Sequence, residues 1–338
     1  MSSAPDAEQI WKDARWLAQA VDVRADLVRV VDMDQDAYRD ASFLDDRMLQ
    51  PGRNAHLLKW SEVAEAKPEN ARSDARWIFH IGHVGSTLIA RLLGELEGVL
   101  SVREPRLLRD VAMLGPQHRR TLVPAVRGLL SRTFGPAEFA LVKATSFVSE
   151  MAAELVPEQG KALFIHAPPR TYIQTILAGD NSRKELQMLA DTRAARMAQR
   201  VPRLDGWRKS EAHLAAAAWA CEMTSLVAAE RALPGAQVQW EDFDRLLGDV
   251  SGRLLAIACF FGFSATVERT REIASGPLMT RYSKALEYEY SPGLRRELLM
   301  EAQRNHGRAI DGALAMLDAA ARECPLLARA LDLSQSAS

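Results

Sequence analysis

The chain has 338 residues, 48% of them hydrophobic and 26% charged, which excludes wholesale disorder and leaves room for two domains or one large domain with additions. Its 43 basic and 44 acidic residues give a net charge of −1, which excludes a globally basic nucleic-acid binder. The three cysteines, Cys221, Cys259 and Cys324, are too far apart for a C-x-x-C zinc or redox motif and fit a reduced, cytoplasmic setting.

The first residues, Met1 to Glu8, are polar and acidic, without the basic and apolar parts of a signal peptide. Ile10, Trp11, Trp16, Leu17 and Ala20 make an apolar stripe that predicts a helix over Glu8 to Val21. Leu27 to Val31 reads as a β-branched strand. In Asp32-Met33-Asp34-Gln35-Asp36 the glycine and closing glutamate of a calcium loop are replaced by Ala37 and Phe43, so these are helix-start acids. Turn signals at Gln50-Pro51-Gly52 and Lys67-Pro68-Glu69-Asn70 close an N-terminal additional region over about 1–74.

From there strands and helices alternate. Trp77 to Ile81 is a buried strand, Gly82 to Gly85 a tight loop, and Ser86 to Leu96 a helix with Leu88, Ile89, Leu92 and Leu93 on one face. Further short apolar strands are expected at Val99 to Val102, Phe139 to Val142, Ala162 to Ile165 and Val238 to Trp240. Arg183 to Leu233 and Leu294 to Leu333 read as mostly helical. The alternation predicts a three-layer α/β/α fold with a mostly parallel central sheet over 75–290 and a C-terminal helical extension over 291–338. The most apolar runs, Leu214 to Cys221 and Leu254 to Phe263, fall short of the roughly 20 residues a membrane span needs. No membrane or nucleic-acid partner is expected.

Chemistry concentrates at Trp77 to Leu93. Glycine permits a sharp turn, successive amides can aim into one concavity, and the helix N-terminus adds partial positive charge. Ser86 and Thr87 can cap the helix or donate hydroxyls to an anion. The loop lacks the lysine of the nucleotide-hydrolysing G-x-x-x-x-G-K-[ST] motif. No H-E-x-x-H or G-x-S-x-G motif supports a zinc-protease or serine-hydrolase reading. The basic set Arg193, Arg196, Arg200 and Arg203 has near-helical spacing and reads as a solvated face.

Ile78-Phe79-His80-Ile81-Gly82-His83-Val84-Gly85-Ser86-Thr87-Leu88 resembles the phosphosulfate-binding loop of sulfotransferases, in particular of bacterial sulfotransferase-like proteins. The resemblance runs from about 76 to 290. Arg103-Glu104-Pro105, Val142-Lys143-Ala144-Thr145, Pro168-Pro169-Arg170-Thr171, Trp240-Glu241-Asp242-Phe243 and Thr280-Arg281-Tyr282-Ser283-Lys284 follow in the order of that family's later motifs. Three positions depart from the pattern. His83 stands where the family has lysine or arginine, and His166 and Gln174 stand where its arginine and serine for the 3′-phosphate are usual.

The resemblance implies a P-loop-like strand–loop–helix and transfer of a sulfuryl group from 3′-phosphoadenosine 5′-phosphosulfate to a small-molecule or peptide acceptor, generally without a metal. Val84, Gly85, Ser86 and Thr87 would hold the 5′-phosphosulfate, with His83 hydrogen-bonding the leaving phosphate. Arg170, Thr175, Arg183, Arg281 and Lys284 would hold the 3′-phosphate. Lys143, at a strand's carboxyl end, would neutralise charge, and Glu104 would be the general base, beside the loop if their strands are neighbours. A phosphoryl-transfer enzyme on the same fold, or a non-catalytic nucleotide- or peptide-binding protein, are the alternatives.

Overall fold

The computed structural model describes residues 4–49, 54–279 and 292–335. They form two sheets. The first is antiparallel, in the order β1 (Trp16–Asp22), β2 (Leu27–Asp32), β3 (Ala55–Lys59). The second contains β4 (Arg76–His80), β5 (Val99–Arg103), β6 (Phe139–Lys143), β7 (Lys161–His166) and β8 (Gln237–Asp242), all parallel, in the order β5-β6-β4-β7-β8.

Trp77, Ile78 and Phe79 of β4, and Ala162 to Ile165 of β7, are fully buried, as expected for inner strands covered on both faces. One face carries the Ser86–Leu93 helix packed against the Val250–Phe261 helix. The other carries the Pro169–Leu177 and Glu211–Arg231 helices, with the long Pro292–Ala321 helix and the Pro325–Gln335 helix outside them. The Glu211–Arg231 helix lies between layers and is apolar almost all round. The expected three-layer α/β/α architecture is therefore present. Among the described residues no helix is long and apolar enough to cross a membrane.

The N-terminal region differs from its sequence reading. The helix spans only Ala7–Lys12, opened by a capping box between Asp6 and Gln9. Residues Trp16–Asp22 form β1 instead. Six successive residues of β1 are buried, a run that single-sequence periodicity cannot separate from a buried helix, and pairing with β2 decides the outcome. Of the acids of 32–36, Asp34 and Asp36 start a helix over Gln35–Asp40 as expected, the Asp34 carboxylate accepting from the Ala37 amide at 2.7 Å, whereas Asp32 ends β2 and pairs with Arg15 at 2.9 Å.

The two sheets are joined by buried contacts. The Arg132 guanidinium, 7% exposed, donates to the carbonyls of Asp13 and Trp16, each at 2.9 Å, and to that of Ile10. A side chain on Gly128 would fall 2.8 Å from the Trp11 ring, so Trp11 packs directly on the backbone of the Pro116–Leu130 helix.

The strand order sets where a ligand can sit. After β4 the chain enters the helix on the first face; after β6 it enters a 3-10 turn, Ser146–Met151, that packs on the second. β4 and β6 are neighbours, so their following segments part at their carboxyl ends. Such a divergence opens a crevice in an open parallel sheet.

Candidate active site

Past β4, the Ile81 amide donates to the Ile165 carbonyl at 3.3 Å, extending the pairing with β7 by one residue. The chain then turns through left-handed conformations at Gly82 (φ 82°), His83 (φ 54°) and Gly85 (φ 60°). His80 braces this turn. Its Nδ1 accepts from the Gly82 amide at 3.0 Å and its Nε2 lies 2.9 Å from the Ala144 carbonyl, an arrangement that puts the ring proton on Nε2. Gly85 is the N-cap of the Ser86–Leu93 helix and offers no capping side chain. A Cβ at position 85 would lie 2.0 Å from the Phe243 ring, so the contact and the positive φ both require glycine there.

Among the described residues, the amides of Val84, Gly85, Ser86 and Thr87 donate to no protein acceptor. The Thr87 hydroxyl, on a residue 2% exposed, also has no partner. An unpartnered hydroxyl beside four unused amides gives this turn donors that could serve an acceptor from outside the chain. Thr145, just past Ala144 on the β6 side, carries a second buried hydroxyl without a partner. Gly82, His83 and Gly85 remain half-exposed, so the loop is not sealed.

His83 turns towards the Asp180–Met188 helix. Its Nδ1 lies 3.4 Å from the Ser182 hydroxyl, its Nε2 3.9 Å from the Glu185 carboxylate, and its ring meets Tyr172 edge-on at 6.4 Å. Arg193 links this group to the protein interior, 3.8 Å from Glu185 and 3.5 Å from Glu222.

Glu104 and Lys143 form a buried ion pair through Oε1 and Nζ, with Lys143 0% and Glu104 8% exposed. Lys143 is thus not an exposed strand-end lysine. The expected neighbourhood of Glu104 needs correction: β6 lies between β4 and β5, so Glu104 starts two strands, about 10 Å, from the loop strand. Its backbone is left-handed (φ 52°), and its amide donates to the Lys143 carbonyl at 2.8 Å. Only four non-glycine residues among those described have positive φ, and His83 and Glu104 are two of them. Backbone strain of this kind concentrates where side-chain placement is functionally constrained. Residues of the N-terminal region cover the pair: Phe43 lies over Lys143 at 5.8 Å, and Arg47 stacks on Phe43 at 3.5 Å and sits 3.9 Å from Glu104 Oε2.

The residues expected at the 3′-phosphate are dispersed. Arg170 pairs with Asp311 at 2.9 Å and reaches Gln303 at 3.3 Å, docking its helix on the C-terminal helix. Thr175 donates to the Thr171 carbonyl of its own helix at 2.8 Å. Arg183 pairs with Asp180 at 2.5 Å and lies 3.6 Å from Glu211. Arg281 and Lys284 lie outside the described residues. Burial pushes His166 down to about 4, so it is a neutral wall residue, edge-on to Trp240 at 5.8 Å.

The arginine series is not a solvated face. Arg196 bridges Glu222 and Glu150, with contacts of 2.9–3.0 Å, and Arg200 pairs with Glu150 at 2.7 Å. Glu222 itself is 0% exposed. Only Arg203 is on the surface, paired with Asp205. The sequence reading missed Glu222, although a lone carboxylate inside the run Ala215 to Ala229 was the signal for a buried cationic partner. It also missed His80, Phe43, Arg47 and Tyr172. Burial pushes the Cys221 thiol up to about 12, which removes it as a nucleophile.

No protein-family model matches this chain, and no curated protein matches it in sequence.

Proposed function

We propose that this protein is a sulfotransferase that moves a sulfuryl group from 3′-phosphoadenosine 5′-phosphosulfate to an acceptor hydroxyl or amine. The observation that carries the proposal is the unused acceptor site: the Val84–Thr87 amides and the orphan Thr87 hydroxyl, at the divergence of β4 and β6. The lack of a lysine directly after Gly85 weighs against phosphoryl transfer. The amides and the Thr87 hydroxyl bind the phosphosulfate oxygens and stabilise charge that builds up during in-line displacement. The acceptor oxygen or nitrogen bonds to sulfur as the sulfur–oxygen bond to the 5′-phosphate breaks. His83, released from Ser182, hydrogen-bonds the departing phosphate. Glu104, two strands from the loop, takes the proton of an acceptor that reaches across β6, and the Lys143 cation then neutralises charge at that acceptor. Arg170 and Arg183 already have carboxylate partners, so the 3′-phosphate end has less support than the 5′ end.

Calorimetry with 3′-phosphoadenosine 5′-phosphate tests this reading. Saturable binding, at least tenfold tighter than that of adenosine 5′-phosphate, is expected. Folded protein that binds neither nucleotide would eliminate the sulfotransferase reading, and magnesium-dependent ATP turnover would replace it with phosphoryl transfer.

A further inference from the structure

A cavity of about 490 Å³ lies along the outer edge of β5, away from the loop. β5 is an edge strand, paired only with β6. The cavity's far wall is Tyr38 and Arg39 of the Gln35–Asp40 helix, and its rim includes Arg269, Glu95 and Glu97. Its volume falls in the range of small-molecule sites.

The buried end holds two arginines, Arg91 at 9% exposure and Arg103 at 1%. Neither has a carboxylate within 4.0 Å among the described residues. The two are not equivalent. Arg103 is fully used: its guanidinium donates to the carbonyls of Ala41 (2.6 and 2.9 Å), Arg39 (3.1 Å) and Tyr38, closing the C-terminal end of the Gln35–Asp40 helix. Arg91 makes one hydrogen bond, from Nη1 to the Ser42 hydroxyl at 3.0 Å. A guanidinium has five donors. Burial lowers the Arg91 pKa, against the opposing charge of Glu95 and Asp40, neither of which comes within 4.0 Å.

The nearby carboxylates, Glu95, Asp40 and Glu138, make no ion pair with Arg91. Glu138 is occupied by the amides of Phe134 and Gly135, at 3.0 and 3.1 Å. Arg269 adds positive charge at the rim, held by the Glu95 carbonyl at 2.8 Å and by Glu272 at 3.1 Å. An arginine 9% exposed, with donors that open on a small-molecule-sized space, suits an anion with several acceptor oxygens.

We propose that this cavity is a second binding site, for a small ligand bearing a carboxylate or phosphate group that pairs with Arg91. The remainder of the ligand is polar, since Glu95 and Glu97 at the rim accept from hydroxyl or amino groups. The site is separate from the phosphosulfate loop: Arg91 belongs to the helix that starts at the loop but lies five residues beyond its first residue, Ser86. That separation is about 7.5 Å along the axis.

Calorimetric titration of the full chain with inorganic phosphate, and separately with malonate, tests the proposal. Saturable binding of at least one probe is expected, and the tighter one identifies the anion class. Arg91→Gln should weaken it about tenfold or more, the loss of a charged hydrogen-bonding partner. The loop substitution Thr87→Val should leave it in place. Arg269→Gln, at the exposed rim, should weaken it about threefold and decides the question if Arg91→Gln does not fold. The proposal is overturned if neither probe binds saturably, if folded Arg91→Gln binds like the unaltered protein, if Arg269→Gln is without effect when it must decide, or if Thr87→Val abolishes the binding.

Discussion

Replacing Thr87 by valine tests the candidate site from two sides. The Thr87 hydroxyl is buried, with no partner in the free protein. Leaving such a group desolvated costs about 1–3 kcal/mol. Valine has nearly the same shape and helix propensity, so Thr87→Val should stabilise the free protein by about 1–3 kcal/mol. With the usual unfolding entropy per residue, a chain of this length shifts by about 1.4 °C per kcal/mol, so Tm should rise by roughly 1.5–4 °C. The same change removes a hydrogen bond to a charged ligand, and affinity for 3′-phosphoadenosine 5′-phosphate should fall about tenfold to a hundredfold. Differential scanning fluorimetry and calorimetry on the same samples measure both effects. A lower Tm would show that the hydroxyl has a stabilising partner. Unchanged affinity in a stabilised protein would show that the hydroxyl does not face the ligand. Either result refutes the reasoning.

Two further substitutions probe the surroundings. Lys143→Met strands the Glu104 carboxylate in a buried place and should cost about 3–5 kcal/mol in urea unfolding, whereas the double change Glu104→Gln with Lys143→Met should recover most of the loss. Equal losses in the single and double variants would mean that the two side chains are not coupled. His166 titrates near 4 in the folded chain and near 6.5 when unfolded, so between those values only the unfolded state gains the proton. Stability from this group is complete above pH 6.5 and falls as the pH drops towards 4, by about 3 kcal/mol. Urea midpoints across that window should fall less steeply in His166→Phe, and parallel curves would refute the burial argument.

The parallel sheet was legible because its strands are short apolar runs with clear ends, and the loop because glycine, serine and threonine there have few other uses. The strand order was not legible. Whether β4 has β5 or β6 beside it depends on how the intervening helices pack, and that alone moved Glu104 away from the loop and onto Lys143. The stripe of 8–21 failed for a different reason. A strand buried on both faces leaves no alternation to betray it, and β1 is such a strand. Spacing gave Arg193, Arg196 and Arg200 one face of a helical segment, but a shared face is the same pattern whether it meets water or Glu222. The Phe243 contact that forces glycine at position 85 joins residues far apart in the chain, and no local pattern encodes it.

The anchoring of Arg132 bears on how this chain can be cut. Apart from one bond from Nε to the Leu129 carbonyl at 2.8 Å, its guanidinium is spent on main-chain oxygens of residues 10–16, contributed by the amino-terminal end of the polypeptide. A fragment beginning at residue 75 would keep the whole parallel sheet yet leave this cation only its Leu129 acceptor, and would lay bare the backbone strip now shielded by Trp11. The amino-terminal segment therefore serves as a structural clasp, and the parallel-sheet half is not a detachable module.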